Sequence, residues 1–405
     1  MVSSVASPTE LAALADQFLV RRDITFLNHG SYGACPRPVF ETYQSWQREL
    51  ERQPVEFIGR RMRGLLAEAR AAFGEYVGTA ADNLIFAPNV TWAINAVVRS
   101  LDLKPGDEVL ATDLEYGAVD RTWSYYCGQR GARYINQPIS LPVTTPEAFV
   151  EQLWAGVTER TRVIAISHIT SGTALILPIA EVCRRARAAG ILTVIDGAHA
   201  PGQIDLDLDA LGADFYGGNC HKWLCAPKGS GFLFARPERQ EMLSPFIISW
   251  GYQADIPGPS LFLDHYERTG TLDPSAYLSV SAAIAFQREH DWPRVRAACH
   301  LLAREARERI AALTGLPQIA PDSSDWWVQM CTCPLPPVDA PRLKERLWDD
   351  YQVEIPVSSR DGQTFVRVSI QAYNRREDVD RLLEALTVLL PKRRPLPHRG
   401  RGDSM

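Results

Sequence analysis

ILTVIDGAHAPGQIDLDLDALGADFYGGNCHKW, residues 191–223, is the stretch whose reading decides the fold. Its first six residues are an apolar run closed by Asp196. Such a run reads as a strand buried on both faces, as in parallel sheets. Asp196 then stands at the carboxyl end of a strand, where open α/β sheets place their ligands. A second apolar run leads through Gly217 and Gly218 to a polar turn carrying Lys222, with Trp223 directly after it. A carboxylate and a lysine so arranged are what pyridoxal phosphate chemistry requires. The lysine forms a Schiff base with the cofactor aldehyde. The carboxylate keeps the pyridine nitrogen protonated, so that the ring draws electrons from a substrate Cα.

Working outward, NLIFAP (83–88), EVLAT (108–112), RVIAISHI (162–169) and GSGFLFAR (229–236) read as further strands, separated by helical segments. IAEVCRRARAAG (179–190) is the clearest helix, with Gly190 closing it. Strands alternating with helices predict an α/β fold whose mostly parallel sheet is covered on both faces. Residues 275–310 carry a helical pattern. WWVQMCT, TFVRVSI and DVDRLLEALTVLL then predict a smaller α+β C-terminal domain. The expected boundaries are an N-terminal arm (1–30) packed on the small domain, a large domain (31–260), the small domain (261–391) and a disordered basic tail (392–405).

Asn89-Val90-Thr91 lies between strand NLIFAP and a helix, the setting in which backbone N–H groups and hydroxyls receive a phosphate. Thr91 also suits an N-cap. Asn219 and His221 flank the lysine turn and are further phosphate donors by position. Arg367 alternates with apolar neighbours in FVRVSI, and an arginine in that setting usually snorkels to solvent. His168 ends the strand RVIAISHI near the expected ring edge.

The bulk properties set bounds. A chain of 405 residues with 46% hydrophobic and 22% charged residues suits a globular protein of one large and one smaller domain. A net charge of −5 supplies no basic field for nucleic acid. No apolar run is long enough to predict a membrane span. The N-terminus lacks the basic start of a secretory signal. Eight scattered cysteines show neither CxxC pairs nor metal-ligand spacing, a pattern that suits free thiols in the cytoplasm and no metal site.

The strings FLNHGSYGACPRPVFE, NVTWAIN, GDEVLATDLEYGA, DGAHAPG, GNCHKWL, ISWGY, GTLDPSAYLSV and FVRVSIQAYN identify a resemblance covering about residues 25–390. The chain resembles fold-type I pyridoxal phosphate enzymes of the class V aminotransferase group. Within it, the chain is most similar to the isopenicillin N epimerase-like family, related to cysteine desulfurases. The resemblance implies Lys222 as the Schiff-base lysine, Asp196 at the pyridine nitrogen and His199 near the ring's phenolic oxygen. It implies Tyr116 stacked over the ring, and Val90, Thr91, Asn219 and His221 around the phosphate. Thr271 would reach the phosphate of a neighbouring subunit, which implies a homodimer. Arg367 would clamp the substrate carboxylate, and Asn28, His29, His168 and Trp250 would line the substrate pocket.

By this resemblance the expected activity is epimerase-like. It would proceed through an external aldimine and a Cα carbanion of an amino-acid-type substrate, with Tyr116, or a water it holds, as the second acid. A β-eliminating C–S lyase, an aminotransferase and a non-catalytic binding protein are the alternatives. PVSSRDGQTFVR (356–367) contains no cysteine where desulfurases carry their nucleophile, which argues against a persulfide mechanism. Leu272 stands where epimerase relatives often carry arginine.

Overall fold

The computed structural model describes residues 5–391; the predicted basic tail lies outside the described residues. Seven strands form the central sheet: β1 (Leu84–Ala87), β2 (Glu108–Thr112), β3 (Arg133–Gln137), β4 (Thr161–Ser167), β5 (Leu192–Gly197), β6 (Phe215–Asn219) and β7 (Gly231–Ala235). Their order is β1-β7-β6-β5-β4-β2-β3, and only β7 runs antiparallel to the rest. The carboxyl ends of the other six, and the amino end of β7, therefore lie along one edge.

Side-chain alternation divides this sheet between two cores. Val163, Ala165, Val194 and Phe215 pack on one face. Ile164, Ile166, Ile195 and Tyr216 pack on the other. Each fully buried aliphatic or aromatic side chain contributes about 1.5–3 kcal/mol, which explains the apolar runs at the centres of β4 and β5. Strand β3 had no clear apolar signal, because it is an edge strand with half-exposed side chains.

Five helices matter for the site. Helix α1 is Arg37–Arg52, α2 is Met62–Val77, α3 is Val90–Ser100, α4 is Gly117–Arg130 and α5 is Ile179–Ala188. Helix α3 packs across β5, β6 and β7, and α5 packs on β5. The expected glycine closes α5: Gly190 adopts φ +70°, one residue past the C-cap Ala189.

The C-terminal part holds a three-stranded antiparallel sheet: β8 (Met330–Leu335), β9 (Val357–Arg360) and β10 (Gln363–Ser369), ordered β9-β10-β8. The 23-residue helix Trp292–Thr314 packs on β8. Near the N-terminus, Thr25–Phe26 pairs in parallel with Val353–Glu354, which stitches this segment to the small-sheet region. Helices between residues 261 and 289 pack back on α1, α2 and β1. No helix among the described residues is long and apolar enough to cross a membrane.

Candidate active site

A cavity of about 490 Å³ opens at the carboxyl edge of the central sheet. Thr91 reaches it from the first turn of α3, Tyr116 from the loop after β2, Ser167 from the end of β4 and Asp196 from the end of β5. Asn219 ends β6, and His221 and Lys222 follow it. The shared direction of these strands brings together residues far apart in the chain.

Asp196 is fully enclosed, and burial raises its carboxyl above the usual range, opposed by a hydrogen bond and by Lys222. The Ala198 N–H donates to its Oδ1 at 2.9 Å. Among the described residues it has no other hydrogen-bond donor, so its remaining lone pairs are available to a ring N–H. Lys222 is enclosed too; burial lowers its pKa to about 8, although Asp196 favours the charged form. Its backbone is held by His29. His29 Nε2 lies 3.0 Å from the Lys222 carbonyl, and Nδ1 lies 2.9 Å from the Tyr373 hydroxyl. A carbonyl only accepts, so Nε2 carries the proton and Nδ1 receives the tyrosine O–H.

Close packing behind the lysine is set by Gly33, at φ +69°. A Cβ there would meet the His221 carbonyl at 2.0 Å and the Lys222 Cα at 2.8 Å. Only glycine allows the loop to pass so close in that conformation.

At the start of α3 the N-cap is Asn89, not Thr91: the Asn89 side chain accepts from Trp92 N at 3.0 Å. The Val90 N–H donates to Asn219 Oδ1 at 2.9 Å. Thr91 is thereby left with its N–H and hydroxyl donors unpartnered among the described residues, as is the amide nitrogen of Asn219. These donors sit at the positive end of an 11-residue helix, a setting suited to a phosphate. His221 Nδ1 lies 2.9 Å from the Ser230 carbonyl, and burial lowers this ring to about 4. The neutral ring presents an acceptor at Nε2, so His221 serves an anion only as the imidazolium.

Arg367 does not reach solvent. It is 8% exposed, and both faces of β10 are covered. Its Nη1 donates to the Ser171 carbonyl at 2.6 Å, and its Nη2 donates to Ser31 Oγ at 3.1 Å and Asn28 Oδ1 at 3.3 Å. Its Nε has no partner. No carboxylate pairs with it among the described residues, and burial lowers its pKa to about 10. An enclosed cation with only neutral partners is incomplete without an anion. Its partners Ser31 and Ser171 line the cavity, and the guanidinium stands directly behind them.

Four of the expected substrate-pocket residues fall elsewhere. His168 continues the alternation of Ile164 and Ile166, so it faces that core and pairs with the Tyr216 hydroxyl at 2.9 Å. Ser167 and Ile169 line the cavity in its place. Asn28 and His29 stand behind the wall, on Arg367 and on the Lys222 backbone. Trp250 is 77% exposed and lies with Thr271 on a separate cavity of about 810 Å³. The turns after β7 carry it away from the strand ends.

One buried group escaped the sequence reading. Glu115 accepts from the Thr112 hydroxyl at 2.5 Å, and from the Ser167 N–H at 2.8 Å and hydroxyl at 2.6 Å. Burial raises its carboxyl to about 7. It ties the loop carrying Tyr116 to the end of β4. Its only sequence signal was its place beside Tyr116.

The residues present fit pyridoxal 5′-phosphate: an enclosed lysine, a carboxylate with open lone pairs, and unpartnered donors at a helix N-terminus within one cavity. Comparison with known proteins agrees. Residues 35–382 match the family model described as aminotransferase class-V. The chain belongs to the class V aminotransferase family. Two similar relatives are isopenicillin N epimerases. One, from Amycolatopsis lactamdurans, is 37% identical over 94% of this chain and 99% of its own. The other, from Streptomyces clavuligerus, is 35% identical over 92% and 96%. A putative L-cysteine desulfhydrase from Oryza sativa subsp. japonica is 28% identical over 91% and 85%. Among solved structures, a cysteine desulfurase from Escherichia coli superposes with a TM-score of 0.78, at 21% identity, over 96% of this chain and 100% of that one. This class V fold matches the predicted architecture, a covered parallel sheet with a smaller α+β part.

The lysine pKa carries a stability consequence. The folded protein releases the Lys222 proton near pH 8, whereas an exposed lysine holds it to about 10.5. Between these values the unfolded chain binds more protons, so cofactor-free protein gains stability as pH rises, by on the order of 3 kcal/mol across the window. The gain is complete above the unfolded value and is lost as pH falls through 8. Urea unfolding of wild type and Lys222→Met should show a stability difference that moves in the wild type's favour between pH 7.5 and pH 10. A pH-independent difference contradicts the assignment.

Proposed function

We propose that this chain is a pyridoxal 5′-phosphate-dependent enzyme that acts at the Cα of an amino-acid-type substrate with epimerase-like chemistry. One observation carries the reading. Lys222, Asp196 and the open end of α3 converge on one cavity, and an unpaired, buried Arg367 lies behind its wall. The similarity to two isopenicillin N epimerases over nearly their full lengths supports the choice of reaction.

When bound, the cofactor supplies an electron sink that makes the Cα proton acidic. Each residue then has a defined task. Asp196 holds a proton on the ring nitrogen. Thr91 and Asn219 would donate to the phosphate, and His221, a neutral ring tied to the Ser230 carbonyl, lines that end of the cavity. Arg367 draws the substrate carboxylate past Ser31 and Ser171 and so orients the Cα–H bond. Lys222, lowered to about 8, is a free amine in a useful fraction of molecules at neutral pH and serves as the base at Cα. Tyr116, half exposed in the cavity wall, is the second proton carrier that inversion needs.

A β-eliminating C–S lyase is the alternative, favoured by the similarity to a desulfhydrase. It shares every step up to loss of the Cα proton. A thiol-based desulfurase route has no nucleophile here, because no cysteine lines the cavity.

We further propose a homodimer. Trp250 and Ile256, on the cavity that holds Thr271, and Ile248 and Leu261, near them in sequence, are each about two-thirds exposed or more. So large an apolar strip suits burial against a second copy. Eight free thiols, seven of them buried, suit the cytoplasm.

The test loads the protein with pyridoxal phosphate, measures its solution mass, and supplies L-amino acids and cysteine conjugates in D₂O. Deuterium at Cα with inversion, no pyruvate and twice the chain mass is the expected result. Pyruvate release would replace the epimerase with the lyase. Absence of both would overturn the reading, and a monomer's mass would overturn the dimer.

A further inference from the structure

His199 is fully buried and contacted at both ring nitrogens. The indole Nε1 of Trp223 lies 3.2 Å from His199 Nδ1, and Lys222 Nζ lies 3.3 Å from His199 Nε2. An indole N–H can only donate. His199 Nδ1 is therefore the acceptor. Burial and the neighbouring cations Lys222 and Arg367, with His29 and His221 also nearby, hold this imidazole well below its ordinary pKa, so the ring is neutral. The carboxyl of Asp196 is the acidic group on the cavity floor. A neutral ring whose Nδ1 accepts carries its single proton on Nε2.

We propose that Trp223 sets the tautomer of His199, so that His199 presents an N–H, never a lone pair, to Lys222 and to any group that Lys222 holds. The indole is itself held in place. Trp223 is fully buried, its carbonyl accepts from Gln287 Nε2 at 3.0 Å, and its ring packs on His29 at 4.9 Å between centroids. Gly202 lies so close that a Cβ there would meet the Trp223 carbonyl oxygen at 2.4 Å. An anchored donor leaves His199 no choice of tautomer.

Two consequences follow. His199 has no free lone pair for Lys222, so it does not take the lysine's proton. Its Nε2–H instead favours an unprotonated lysine nitrogen, which keeps Lys222 nucleophilic inside a buried site. Trp223 is thus a positioning residue that acts through His199. Phenylalanine in its place keeps the aromatic packing and removes the donor. His199 is then free to move its proton to Nδ1 and turn a lone pair toward Lys222, which favours the protonated lysine.

The first readout needs no cofactor. Nitrogen-15 NMR of histidine-labelled, cofactor-free protein, with the His199 signals identified through His199→Gln, should show the Nε2-protonated ring in wild type. Trp223→Phe should shift it toward the Nδ1-protonated form. A wild-type ring protonated on Nδ1 overturns the proposal, even if no Trp223 variant folds.

The second readout rests on the cofactor reading. In protein loaded with pyridoxal phosphate, Trp223→Phe should raise the pH midpoint of the visible absorbance band by about one pH unit. In a His199→Gln background the same substitution should leave it nearly unchanged. Equal shifts in both backgrounds would mean that Trp223 acts only through packing, and would overturn the proposal. The expected NMR pattern without any visible band would retire the cofactor reading and leave the tautomer assignment standing.

Discussion

Replacing Lys222 with alanine should abolish the visible absorbance band that pyridoxal phosphate acquires on the wild-type protein, and lower turnover by at least roughly 10³-fold, within the range for removing a positioned acid–base group. Under the proposed function, two roles rest on this one amine, attachment of the cofactor and proton removal at Cα. No other lysine lines the cavity. Lys228 is turned away, with its Nζ donating to the Gly33 carbonyl. The variant should still fold, because the lysine is a buried charge whose desolvation the native state tolerates rather than needs. Arginine at 222 would keep a cation and still fail, since its guanidinium does not deprotonate in this range. A Lys222→Ala protein with a wild-type band and wild-type Cα exchange would remove the central assignment.

Arg367 carries the second large effect. Arg367→Gln should lower kcat/KM for a carboxylate-bearing substrate about 100-fold. Two charge-assisted hydrogen bonds contribute about 1.5 kcal/mol each at the low end, and 3 kcal/mol corresponds to about two decades. Arg367→Lys should recover only part of this, because an ammonium lacks the planar fork that matches a carboxylate. The informative comparison is between an amino acid and its amide. Wild type should discriminate strongly, and Arg367→Gln should treat the two nearly alike. The unliganded protein should not be strongly destabilised, since the arginine is already an enclosed cation without a counter-charge. Undiminished discrimination in Arg367→Gln would show that the carboxylate binds elsewhere.

Much of the site was legible because its chemistry is local. Asp196 was readable from the apolar run that it closes, and Lys222 from the glycine-rich turn that carries it. The phosphate-ready end of α3 announced itself through Asn89 and Thr91 after a short apolar strand. Each signal depends on neighbours a few residues away, where periodicity and capping rules apply.

What stayed hidden depends on contacts across the whole chain. Arg367 looks like a snorkelling arginine until both faces of β10 are seen to be covered, which brings Ser31 and Ser171 to it. His168 looks like a ring-edge histidine until the alternation along β4 turns it onto Tyr216. His29 supports the Lys222 backbone through a carbonyl nearly two hundred residues away.

The sequence by itself determined an α/β fold of this family, the identity of the lysine–carboxylate pair and the helix end beside it. These follow from strand burial, turn chemistry and helix capping, which act over short stretches. Tertiary structure alone decided which side chains face the cavity, which stand behind its wall, and which proton each histidine carries. Those properties belong to pairs such as Trp223 and His199, or Arg367 and Ser171. Burial, desolvation and donor direction exist for them only once the strands have set distant segments side by side.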